Sequence, residues 1–149
     1  MLPKPDLGCC SACGKPLTEH RFTLNRVIEQ CRYGLQETIE VDVLSDEMAA
    51  TYCSAECAWP AMHIYLCERD INYTGGCAGP VVPCARCGGL LDMTQPHVAY
   101  VVRDETEQRT PWLNSIEIHS AEGVADICLQ CDGERTTDTE HLVEPIAVA

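Results

Sequence analysis

The cysteines are the residues of this sequence whose spacing points to chemistry. Cys10 and Cys13 form a C-x2-C pair, as do Cys84 and Cys87, and Cys128 and Cys131, while Cys53 and Cys57 form C-x3-C. A C-x2-C turn aims two sulfurs at one point, and the glycines at Gly14 and Gly88 let the backbone turn back under a bound ion. Two paired turns supply four thiolates, the donor set of a closed tetrahedral zinc site with no position left for water. Cys10, Cys13, Cys53 and Cys57 are therefore expected to hold one zinc ion, and Cys84, Cys87, Cys128 and Cys131 a second. Iron also accepts four thiolates, and zinc is the commoner occupant of paired knuckles. Disulfides are the competing use for 12 cysteines. The opening Met1-Leu2-Pro3-Lys4-Pro5-Asp6 lacks the apolar run of a secretory signal, so the expectation is a reduced, cytoplasmic metal protein.

Four cysteines stand outside these sets. Cys9 can replace Cys10 as ligand, but Cys10 keeps the offset between the two sets constant. His63 and Cys67 are four apart on a predicted helix and share a face, with Cys77 in a Gly-rich stretch beyond. They are candidates for a third, open metal site, against the plainer reading of Cys67 as a small buried side chain. Cys31 is expected to be a buried strand residue. His20, His97, His119 and His141 have no cysteine at ligand spacing. A zinc deaminase needs His-x-Glu upstream of Pro-Cys-x-x-Cys. Pro83-Cys84-Ala85-Arg86-Cys87 supplies the second half, but no His-x-Glu occurs in the chain.

The elements that would position the ligands repeat. Cys10, Cys13, Gly14, Leu17 and Cys57 shifted by 74 fall on Cys84, Cys87, Gly88, Leu91 and Cys131, and Cys53 slips by one place to Cys128. Between the knuckles, Phe22 to Tyr33 is rich in β-formers and Gly34 breaks it. Leu35 to Leu44 then alternates Ile39, Val41 and Val43 with Glu40 and Asp42. The second copy has His97 to Val102, a charged turn through Asp104-Glu105-Thr106-Glu107, and a strand over Leu113 to His119. The prediction is a small α+β chain of two tandem zinc-bound β-hairpin modules, an internal duplication with one connecting helix. That helix runs from Ala55 towards Arg69, capped by Ser54 and kinked or restarted at Pro60, with Met62, Ile64, Tyr65 and Leu66 as its apolar face. The implied boundaries are residues 1–71 for the first module, 72–83 for a Gly/Pro linker, 84–135 for the second module and 136–149 for a polar tail expected to be disordered.

The run Cys10-Ser11-Ala12-Cys13-Gly14-Lys15-Pro16-Leu17, followed by Tyr52-Cys53-Ser54-Ala55-Glu56-Cys57, resembles a treble-clef zinc finger of the TRASH/MYM type over residues 10–70. The resemblance implies zinc on Cys10, Cys13, Cys53 and Cys57 and a helix beginning near Ser54. Here 39 residues separate the knuckles, from Gly14 to Tyr52, more than such fingers usually carry. The second copy lacks the Cys-Ser step and resembles a zinc ribbon. Such fingers serve metal handling, protein binding and nucleic-acid binding alike.

Charge and composition narrow the choice. With 10 Lys+Arg against 23 Asp+Glu the formal charge is −13, and eight thiolates with two zinc ions would take it to about −17. Such a chain has no excess of cations to displace counterions from nucleic acid, and its field attracts basic proteins. No apolar run reaches the roughly 18–20 residues of a membrane span. The expected partner is therefore a basic protein, with no direct contact to nucleic acid or membrane. Glu37, Glu40, Asp42, Asp104, Glu105, Glu107 and Glu117 are candidate contact residues on the hairpins. Trp59 and Trp112 are expected in the core, or as contact anchors where exposed. With both cysteine sets closed and no catalytic set evident, the expected function is a non-enzymatic, acidic protein-binding module of the immunity, antitoxin, inhibitor or adaptor kind. Metal sensing or trafficking through a labile third site is the alternative.

Overall fold

The computed structural model describes residues 7–76 and 79–133. Cys77, the tail from Thr136 and the side chain of Glu37 lie outside the described part. The elements are β1 (His20–Tyr33), a 3-10 turn (Leu35–Glu37), β2 (Ile39–Tyr52), α1 (Ala55–Glu68), β3 (Val81–Pro83), β4 (Leu90–Asp92), β5 (His97–Thr110) and β6 (Leu113–Ile127). A turn of helix follows at residues 129–133. The chain is a small α+β protein. Each half contributes one long hairpin, and the four long strands form a single antiparallel sheet in the order β2-β1-β5-β6.

The central pairing of β1 with β5 joins the halves. Each hairpin carries two bulges. Leu44 and Ala49 of β2, and His119 and Val124 of β6, have no opposite number in the register, and each pair is five residues apart. Aligning these bulges, which lie 75 residues apart between β2 and β6, equates Leu24 with Tyr100 and Ile28 with Asp104, an offset of 76 from β1 to β5. Asn25 and Val101, equivalent by that offset, lie directly opposite each other. An approximate two-fold axis therefore passes between β1 and β5 at this pair. Bulges sharpen strand twist, and this sheet curls until β2 and β6, its two edges, line one cavity.

The inner face of the sheet packs on α1. Ser54 caps the helix, its hydroxyl accepting from the Cys57 N–H at 3.2 Å. α1 then runs unbroken through Pro60, so the expected restart does not occur. Ala58, Met62 and Leu66, at i, i+4 and i+8, are its buried stripe, packed with Leu24, Tyr52, Tyr100 and Val102. Ile64, expected on that stripe, is 60% exposed. Two further expectations are corrected. Asp104 to Glu107 is not a turn but lies within β5, where the register sets Glu105 against Arg21 on β1; the turn falls at Pro111-Trp112. Trp112 on that turn is 85% exposed, whereas Trp59 packs partly buried against the core.

Candidate metal centres

The structure brings together both predicted sets of ligands. The sulfurs of Cys10, Cys13, Cys53 and Cys57 lie within 4.8 Å of one another, as do those of Cys84, Cys87, Cys128 and Cys131. Separations of 3.6 Å for Cys13–Cys53 and 3.8 Å for Cys53–Cys57 recur at the second site as 3.9 Å for Cys84–Cys128 and 3.8 Å for Cys84–Cys131. Four sulfurs about 2.3 Å from a central ion stand about 3.8 Å apart at tetrahedral geometry. A disulfide would bring a pair to about 2.0 Å. Both groups therefore fit a metal ion. Cys9 is exposed and outside the cluster, which resolves the Cys9/Cys10 alternative in favour of buried Cys10.

The local backbone explains the convergence. Cys10 N–H donates to the Lys15 carbonyl at 2.7 Å and Gly14 N–H to the Cys10 carbonyl at 2.9 Å. Seventy-four residues on, Cys84 N–H donates to Gly89 and Gly88 N–H to Cys84 at 2.8 and 2.9 Å. Gly14 and Gly88 take φ of 80° and 78°, a left-handed conformation that favours glycine. The second pair of ligands enters from the end of each hairpin. Cys53 follows β2 and Cys57 sits in the first turn of α1, while Cys128 follows β6 and Cys131 sits in the helical turn at 129–133. The order knuckle, hairpin, helical turn is the same in both halves.

Electrostatics calls for a cation at each site. Burial pushes the Cys10 thiol up, but N–H donors from Cys13, Cys53 and Ala12 outweigh it and bring it down to about 6. Burial likewise opposes, and the N–H groups of Cys87, Arg86 and Cys128 overcome, at Cys84, also brought to about 6. Their cluster partners move the other way. The Ser54 hydroxyl lowers Cys57, but burial and the neighbouring sulfurs carry it up to about 11. Burial and the sulfurs of Cys128, Cys87 and Cys84 raise Cys131. Four sulfurs this close ionise together only around positive charge.

The remaining candidates scatter. Cys67 is exposed and joins no metal-ligand cluster among the described residues, and the His63 ring packs on Tyr73 at 4.7 Å. The acidic candidates are mostly engaged within the chain. Glu40 and Asp42 pair with Arg32, and Asp104 hydrogen-bonds His20 at 2.5 Å. Glu105 and Glu107 are buried against Arg21 and so leave the surface, whereas Glu117 is exposed on β6. Among the described residues no helix is long and apolar enough to cross a membrane. One cluster has no signal in the sequence: Glu29 and Cys31 on β1 meet His97 on β5. Compared with known proteins, the chain matches no family model, no curated protein and no solved structure.

Proposed function

We propose that this chain is a non-enzymatic, zinc-stabilised protein-binding module, a duplicated treble clef whose edge strands engage a basic partner. The observation that carries this reading is the pair of exposed apolar rows on the sheet edges. Ile39, Val41 and Val43 on β2, and Ile116 and Ile118 on β6, are each 43–55% exposed. Their cross-strand partners place both rows on the face opposite α1. Edge strands with open backbone groups and apolar side chains invite another chain to pair or pack. Glu40 and Glu117 alternate with these rows along the strands and so project from the other face of the same edges, and the overall charge of −13 selects a basic partner by electrostatic steering. Closed four-thiolate sites suit zinc in a structural role. The role proposed is that of an acidic immunity protein, antitoxin, inhibitor or adaptor.

Native mass spectrometry of the protein isolated gently from its own host tests the reading. The expected spectrum shows two zinc ions and a basic companion that dissociates as salt rises. Ile116→Ser/Ile118→Ser/Glu117→Lys should keep both zinc ions and lose the companion. A companion held equally by this variant and at high salt, or a bare monomer, overturns the proposal.

A further inference from the structure

On the face opposite α1, the approximate two-fold axis exchanges two polar clusters. In one, Arg21 lies 3.1 Å from Glu105 and 2.9 Å from Glu107, all three side chains at most 10% exposed. The strand offset of 76 carries Arg21 onto His97, and equates Glu29 with Glu105 and Cys31 with Glu107. The second cluster is those three residues, with ligand atoms within 4.8 Å of one another. At the first, a permanent guanidinium cation neutralises two carboxylates. At the second, an imidazole stands where the guanidinium was and a thiol replaces one carboxylate. Arg, Glu and Glu make an ion-pair set, whereas His, Cys and Glu make a metal-ligand set.

The geometry supports the difference. His97 is fully buried and Cys31 is 4% exposed. The Gln95 carbonyl can only accept, so His97 Nδ1–H donates to it at 2.9 Å. That bond fixes the ring and directs Nε2 at Glu29 Oε2, 3.2 Å away. A ligating histidine is commonly oriented this way by its other nitrogen. Nitrogen and oxygen ligands about 2.0–2.1 Å from a tetrahedral ion stand about 3.3 Å apart. Glu29, Cys31 and the buried Asp126 line a cavity of about 270 Å³ whose described walls include no Lys or Arg.

We propose that Glu29, Cys31 and His97 form a third metal site, for a divalent cation of zinc's class, with its fourth position open to the cavity beside Asp126. The site stands independently of the partner-binding reading. The full chain, loaded at both four-cysteine sites, should take up one further Zn²⁺ in native mass spectrometry. Cys31→Ser and His97→Gln should each return the count to two, and Cys9→Ser/Cys67→Ser should leave it at three. Should the buried variants fail to fold, wild-type protein titrated with Co²⁺ decides. The last ion bound should add thiolate-to-cobalt absorption roughly a quarter of that per four-thiolate site, from one sulfur against four. Saturation at two ions, a third ion lost with Cys67 rather than Cys31, or a third cobalt without thiolate absorption overturns the proposal.

Discussion

At the scale of single residues, the two candidate metal centres depend on ligand identity and on one backbone conformation. Cys10, buried within its cluster, and Cys9, exposed beside it, are adjacent in sequence yet have opposite roles. Cys10→Ser should therefore lower the count of bound metal ions while Cys9→Ser leaves it unchanged, as counted by native mass spectrometry. Gly14 and Gly88 have left-handed φ and open space where a Cβ would stand, so alanine there meets no clash. The cost is then conformational alone. Each Gly→Ala change should lower stability by about 1–2 kcal/mol in denaturant melts, with both zinc ions retained. These positions were legible in the sequence because a knuckle is a local device: four residues and a glycine specify it. His97 was not, since the ring meets Glu29 and Cys31 only through the β1–β5 register, which no short motif encodes.

At the scale of elements, the hairpins were legible from alternation, while the pairing between them was not. The charged run Asp104 to Glu107 reads as a turn because charged side chains ordinarily need water. In the sheet Arg21 supplies that need, with Glu105 and Glu107 buried against it. Such a pair is costly to break from one side, because it leaves carboxylates buried without their cation. Arg21→Met should destabilise the protein by about 3–5 kcal/mol in equilibrium unfolding, and adding Glu105→Gln and Glu107→Gln should recover part of the loss. The hydrogen bond from Arg109, and then the charge of Arg21, hold Glu107 below the usual carboxylate range despite its burial. Its folded state thus binds fewer protons than its unfolded state. The stabilisation is complete above the unfolded value of about 4.3 and is lost as pH falls through the lower folded value. The melting gap between wild type and Glu107→Gln should accordingly narrow as pH drops below about 4.3.

At the scale of the whole molecule, the repeat and the single sheet have different consequences for stability. The likeness of the two halves was legible in the cysteine offset of 74, but the axis was hidden because β1 and β5 follow an offset of 76 and β2 and β6 one of 75. Two residues enter between the second knuckle and β5, and only the bulges at Leu44, Ala49, His119 and Val124 reveal the equivalence. The axis places β1 of one half against β5 of the other. The main core draws Leu24 and Tyr52 from the first half and Tyr100, Val124 and Ile127 from the second. Neither hairpin can keep this core without the other, and a two-stranded ribbon alone is marginal in water. A structural zinc site contributes on the order of 10–16 kcal/mol in apparent terms, comparable to the roughly 5–15 kcal/mol that separates a domain from its unfolded state. Loss of one site should therefore unfold both halves. Cys53→Ser lies in the first half, yet hydrogen exchange should show protection lost in β5 and β6 as well as β1 and β2, in a single cooperative transition. Independent modules would instead leave β5 and β6 protected and hold the second zinc ion. Protection retained there would mean that the β1–β5 seam carries little of the stability.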